Sequence, residues 1–309
     1  MDGRRAEGVE MDAAGWWRLF RLAQQNHVAA LVAEALPAGV PRDVLMPWLA
    51  EREKVAARYR LQCDVQRQIA DTMQAHGIET LVLKGTHAAQ YWPVAEMREF
   101  GDLDLYFFDR HDEADEVARR ELRAHVDSHS HHHTRYVLRG VTVESHYDFV
   151  NTHYPPSNRR YEAMLKEMAP SATFEVLFLL RHMAGHFASS RITLRDLCDW
   201  TLTCRALKDK TDWSLVKRTV EEYGMTPFYD VLGALGQGRP TDGRVADSVV
   251  YGNMRDHDTE DIGRLLWKLR RWRASAWKRR MVYNDSPAAL LLSSITSHGL
   301  KPQTIFHKM

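Results

Sequence analysis

Two aspartates, Asp102 and Asp104, stand at i and i+2 in the stretch Met97-Arg-Glu-Phe-Gly-Asp-Leu-Asp-Leu-Tyr-Phe-Phe108. On a β-strand such a pair shares one face, with Cα atoms roughly 6.5–7 Å apart. Leu103 and Leu105 then point to the opposite face and into a core. Neighbouring carboxylates repel unless a cation sits between them, and an all-oxygen donor set suits Mg²⁺ or Mn²⁺ better than zinc. The chemistry on offer is that of a bound divalent ion. A third acid, Glu144, lies in Val141-Thr-Val-Glu-Ser-His-Tyr-Asp-Phe-Val150, whose alternation puts Thr142, Glu144 and His146 on one face. If that segment runs beside the aspartate strand, Glu144 completes a carboxylate triad and His146 stands next to it, as an outer partner or a substrate contact. Upstream, Lys84-Gly85-Thr86 follows the apolar run that ends at Leu83. It reads as a tight turn from strand to short helix, in which Gly85 lets the backbone approach a phosphate and Lys84 adds a positive charge.

A glycine and a hydroxyl residue opening a helix, an acid-x-acid strand and a later single acid together resemble the nucleotidyltransferase superfamily typified by DNA polymerase beta and kanamycin nucleotidyltransferase. The closer resemblance is to bacterial uncharacterised nucleotidyltransferases, in which a Leu-Lys-Gly turn, an Arg-x-x-Gly-Asp-x-Asp strand and a Glu-x-His strand recur. Here these are Leu83-Lys84-Gly85, Arg98 to Asp104 with Gly101 between them, and Glu144-Ser145-His146. The resemblance implies an enzyme that moves a nucleoside monophosphate from a nucleoside triphosphate such as ATP to an acceptor hydroxyl, releasing pyrophosphate. It implies that Asp102, Asp104 and Glu144 hold Mg²⁺ or Mn²⁺, with Glu144 also helping to deprotonate the acceptor. Lys84, Gly85, Thr86 and Arg98 would receive the triphosphate, with Gly101 and His146 alongside, the alternative for Arg98 being to pair with a nearby acid and fix the loop. The motifs leave the acceptor open among a small molecule, a sugar, a protein side chain and an RNA end. Two other readings use the same residues: a nucleotide-binding or interaction module without turnover, and a toxin- or antitoxin-type nucleotidyltransferase acting on RNA or protein.

The elements that must position these residues read as an α+β chain. A small mixed β-sheet core over residues 76–150 is expected between a helical region at 1–75 and a helical domain at 151–309. Trp16 to Ala23 and Val28 to Leu36 have helical spacing, and Pro37, Gly39 and Pro41 break the pattern before a helix that runs to about His76. In the centre a helix is expected from Asp112 to Ala124. A hairpin follows, joining Thr134 to Leu138 with Val141 to His146 through Arg139-Gly140. Beyond Pro155-Pro156 helices are expected at Phe174 to His186, Leu194 to Leu207, Trp213 to Tyr223 and Ile262 to Val282, with a loop from Gly233 to Gly243.

Composition bounds the class. The chain has 309 residues, 44% hydrophobic and 27% charged, as expected of a soluble globular protein, and its net charge of +1 argues against a wholly basic nucleic-acid coat. Three cysteines, Cys63, Cys198 and Cys204, lack metal-ligand spacing and fit a reducing compartment. The segment Met1-Asp-Gly-Arg-Arg-Ala-Glu has no apolar signal core, and no run approaches the roughly 20 apolar residues that span a bilayer. A cytoplasmic protein is expected.

Other clusters have quieter readings. The histidines from His125 to His133 are too closely spaced for paired ligation and read as an exposed loop, one of them bordering the site. His182 and His186 lie one helical turn apart without the glutamate of a metalloprotease helix, and are expected to line the cleft or pack. Asp196 and Asp199 share a helix face beside Arg195, which suggests an ion-pair network. Arg264 to Arg280 carries eight basic residues, no acids, and Trp267, Trp272 and Trp277. An amphipathic helix with a solvated basic face explains it, an RNA contact being the sharper alternative.

Overall fold

The computed structural model describes residues 9–129, 132–241, 243–250 and 272–297. It opens with α1 (Ala13–Gln25), α2 (Ala29–Glu34) and the 34-residue α3 (Arg42–Ala75). Asp12 starts α1 by accepting a hydrogen bond from the Gly15 N–H at 2.7 Å. The apolar side of α1, Trp16 and Phe20, packs on Trp48 of α3 in a cluster that also takes in Trp92, Cys198 and Leu202.

The centre comprises β1 (Leu81–Val82), α4 (Thr86–Ala89), β2 (Asp102–Tyr106), α5 (His111–Glu121), β3 (His125–His129), β4 (His133–Leu138) and β5 (Val141–His146). These strands form one mixed sheet in the order β1-β2-β5-β4-β3. β2 and β5 run parallel, with Asp104 opposite Glu144 and Asp102 opposite Thr142. The other pairs are antiparallel. On one face, Leu103, Leu105, Val141 and Val143 bury against Val65, Ile69 and Met73 of α3 and Val117 of α5. Each such side chain contributes about 1.5–3 kcal/mol when fully buried. A one-residue slip would exchange this row for the acids, so the apolar face fixes which way Asp102, Asp104 and Glu144 point. The β4–β5 turn has Arg139 at φ 51° and Gly140 at φ 79°, the left-handed pair that a two-residue hairpin of the favoured type requires.

Helices follow: α6 (Asn158–Met168), α7 (Ala172–Ser189), α8 (Leu194–Ala206), α9 (Trp213–Glu222), α10 (Thr226–Gly236), α11 (Gly243–Val250), then Ala276–Val282 and Pro287–Ser297. Ser171 caps α7 by accepting from the Phe174 N–H at 3.1 Å. Buried along much of its length, α7 shares a core with Tyr106 and Phe149 on the acid side of the sheet. The architecture is α+β, a mixed sheet with helices at both ends. No helix among the described residues is long and apolar enough to cross a membrane.

Several local expectations need correction. The central helix stops at Glu121 rather than Ala124, because Arg123 turns left-handed at φ 53° and the Ala124 N–H folds back to the Ala118 carbonyl at 3.0 Å. The histidine run is strand at both ends, His125–His129 in β3 and His133 opening β4. As an edge strand β3 tolerates polar residues that hide its alternation. The loop expected from Gly233 is helical through Gly236, where glycine serves packing: a Cβ would lie 2.6 Å from Thr201 Oγ1 on α8. In the basic segment, residues 262–271 lie outside the described residues. Lys278 and Arg279 are buried, not solvated, with Lys278 Nζ donating to the Ser190 carbonyl and Arg279 donating to Ser275 Oγ.

Candidate active site

The parallel pair β2 and β5 brings the sequence-selected acids together. Asp102, Asp104 and Glu144 each offer an oxygen, and the three oxygens lie within 4.8 Å of one another. Asp104, 2% exposed, receives Lys84 Nζ at 3.1 Å and the His146 Nε2–H at 2.9 Å on the same oxygen, Oδ1. Burial pushes this carboxyl up, but Lys84 and His146 outweigh it and hold Asp104 well below the usual carboxylate range. Burial likewise opposes charge on His146, and its bonds to Asp104 and Glu144 prevail, raising it. Glu144 is lowered, chiefly by His146, while burial works against that and His133 adds to it. Asp102 makes no salt bridge with a described residue. Burial and then repulsion from Asp104 raise it, with Lys84 opposing. The repulsion implied by the acid-x-acid spacing is therefore relieved here by an ammonium and an imidazole.

Lys84 also meets α7. Its Nζ lies 3.2 Å from His182 Nε2. Burial first, then the Lys84 charge, drives His182 well below its ordinary value, so its neutral ring accepts the lysine proton's hydrogen bond. His186, one turn on, packs edge to face on His182 at 4.4 Å. Both face a cleft of about 920 Å³ lying between the acid side of the sheet and α7 and α8. Phe149, Tyr154, Phe178 and Tyr283 give this cleft an aromatic side, and the triad gives it an acidic one.

Residues 12–235 match the profile of a family described as uncharacterised nucleotidyltransferase. The chain belongs to that family. The matched span runs from Asp12 into α10 and so contains the triad, Lys84 and both α7 histidines. No curated protein and no solved structure matched the chain.

In this nucleotidyltransferase the residues selected for the triphosphate separate into two groups. Lys84, Gly85, Arg98 and Gly101 line the cleft. Gly85 adopts φ 63°, a left-handed conformation that costs glycine little and leaves its backbone open to the cleft. Thr86 turns away and donates its hydroxyl to Gln66 Oε1 of α3. Arg98 is 4% exposed and grips Asp199 with two bonds, Nε to Oδ1 at 2.8 Å and Nη2 to Oδ2 at 2.7 Å, while Trp92 Nε1 donates to the same Oδ1 at 2.8 Å. The Gly101 carbonyl accepts from Arg58 Nη2 at 2.9 Å. Asp196 is drawn down to about 2: burial opposes this, but Arg195 and the Thr193 N–H, to which Asp196 is a reciprocal cap, outweigh it.

The motifs did not single out His132 and His133, which line the cleft beside His146. His133 lies opposite His146 in the β4–β5 register, with its Nε2 3.5 Å from Glu144 Oε1. His132 packs against His146 with ring centres 4.8 Å apart, and burial followed by its neighbouring cations pushes it down to about 3. Extending the hairpin by one residue at its open end would have found His133, since it continues the alternation of Arg135 and Val137.

Proposed function

We propose that the enzyme transfers a nucleoside monophosphate from a nucleoside triphosphate to an acceptor hydroxyl with the help of a divalent ion. The observation that carries this reading is the convergence of Asp102, Asp104 and Glu144 on one point of the cleft wall, all oxygen and all reachable from the cleft. Hard oxygen donors of this kind suit Mg²⁺ or Mn²⁺. Such an ion, when bound, would neutralise phosphate charge and polarise the attacking oxygen. Lys84 would pass from Asp104 to the triphosphate, keeping its contact with His182 as a pivot. The Gly85 backbone would close on the phosphates, and Arg98 would act at one remove, fixing through Asp199 the segment that carries Gly101. Glu144, kept ionised by His146, would accept the acceptor's hydroxyl proton as its oxygen bonds to the α-phosphorus and the bond to pyrophosphate breaks. A cleft of about 920 Å³ lies within the size range of small-molecule sites, which supports a nucleotide with a compact acceptor over a large RNA.

The test is to incubate the protein with each nucleoside triphosphate and Mg²⁺ beside candidate acceptors, and to follow pyrophosphate release with transfer of an α-phosphate label. Metal-dependent release that disappears in Asp104→Asn is expected. Label appearing only as free monophosphate, whatever the acceptor, would indicate hydrolysis and contradict transfer.

A further inference from the structure

The β4 side of Glu144 carries a second and chemically different donor set. His133, Glu144 and His146 each offer one ligand atom, and these atoms also lie within 4.8 Å of one another. The two Nε2 atoms approach different oxygens of the carboxylate, His133 at 3.5 Å from Oε1 and His146 at 3.6 Å from Oε2. The imidazoles are tilted by 54° with centres 5.3 Å apart, so they converge on the carboxylate and do not stack. Strand register fixes this arrangement, because His133 pairs with His146 directly and Glu144 is two residues from His146 on the same face. All three side chains border the cleft, so an ion has a route in and space for further ligands.

We propose that His133, His146 and Glu144 form a nitrogen-rich cation position for a first-row transition-metal ion such as Mn²⁺, Co²⁺ or Zn²⁺, next to the all-oxygen position and sharing Glu144 with it. Imidazole nitrogen favours these ions, whereas Mg²⁺ keeps to oxygen and water. Two nitrogens and one carboxylate leave a coordination place open, as in catalytic sites and unlike closed structural ones. Loading exchanges the His146 bond to Asp104 for a bond to the ion, which leaves Lys84 as the remaining partner on Asp104 Oδ1. The two positions would then be unequal, one selecting hard ions and the other borderline ions. This inference meets the proposed transfer reaction at the shared Glu144 and through His146, which bonds Asp104.

Co²⁺ separates the two positions, since mixed nitrogen and oxygen ligation at low coordination number gives strong visible bands and six oxygen donors give weak ones. The full-length protein titrated with Co²⁺ is expected to develop a strong band that saturates at one equivalent. His133 belongs to the second position alone, so His133→Ala and His133→Gln should lose the band and weaken Co²⁺ binding by more than the roughly 10- to 100-fold that loss of an outer partner costs. Both should keep Mg²⁺-ATP binding, which also shows that they are folded. Asp102→Asn should do the reverse, keeping the band and losing Mg²⁺-ATP. A wild-type protein without the band, or a band and affinity unchanged in both His133 variants, would overturn the proposal. A band that persists in a protein unable to bind Mg²⁺-nucleotide would uphold it and sink the transferase reading instead.

Discussion

Two clusters of charge face the same cleft and differ in how their ions are paired. Asp199 receives three hydrogen bonds from Arg98 and Trp92, and both members of its ion pair are almost completely buried. At the triad, Lys84 and His146 crowd onto one oxygen of Asp104, Asp102 has no salt bridge with a described residue, and Glu144 stands no closer than 3.5 Å to its imidazole neighbours. The first cluster ties α8 to the segment leading into β2, and among the described residues it leaves Arg98 Nη1 buried without a hydrogen-bond partner. In the second, Lys84 and His146 are shared among the acids. Motif membership and pairing are separate matters: Arg98 belongs to the Arg-x-x-Gly-Asp-x-Asp motif, is paired with Asp199, and lines the cleft.

The largest effect should come from breaking the first cluster. Asp199→Ala strands the buried Arg98 charge and is expected to lower stability by about 3–5 kcal/mol in urea denaturation. Nucleotide affinity per folded molecule should hold, and a parallel loss of ATP affinity would show that Arg98 and Asp199 act on the ligand directly. In the second cluster, Glu144→Gln keeps side-chain volume and removes charge. It should lower transfer by on the order of 10²-fold or more while Mg²⁺-triphosphate binding persists through the aspartates. Lys84→Ala should weaken triphosphate binding by about 1.5–3 kcal/mol and adenosine binding far less. Equal losses for both ligands would assign Lys84 to the same structural class as Arg98.

A smaller effect, on pH, tests a carboxylate in neither cluster. Glu162 is buried beneath the chain that follows β5 and accepts the Phe149 and Val150 N–H groups at 3.1 and 3.0 Å. Burial raises it to about 7, with those two donors opposing. A carboxyl raised on folding means that the folded state holds more protons than the unfolded one between about pH 4.5 and 7. Stability should therefore fall as pH rises through that window, by at most about 1.4 kcal/mol per pH unit. Glu162→Gln should flatten the slope, as read from denaturation midpoints across the range.

Much of the site was legible because strand alternation is a strict rule. Period two put Asp102 and Asp104 on one face and Glu144 with His146 on another, and the parallel β2–β5 register joined them. What spacing could not show was partnership across distant elements. That Arg98 meets Asp199, that Lys84 meets His182, and that Thr86 turns to Gln66 depend on how α3, α7 and α8 pack on the sheet. His133 was expected in a loop that borders the site, not in a strand: a run of histidines carries no apolar alternation, so the start of β4 was hidden in composition. Gly236 was misleading in the opposite way, since a glycine required for close helix contact looks in sequence like one required for a turn.

The most direct test of the account is calorimetry of Mg²⁺-ATP binding to Asp102→Asn. Asp102 is the triad member without a salt bridge among the described residues, so its loss disturbs the resting network least, and a circular dichroism spectrum matching wild type should confirm the fold. Mg²⁺-dependent binding is expected in the wild-type protein and none measurable in the variant. An Asp102→Asn protein that binds Mg²⁺-ATP with wild-type affinity would contradict the assignment of the triad to a divalent ion.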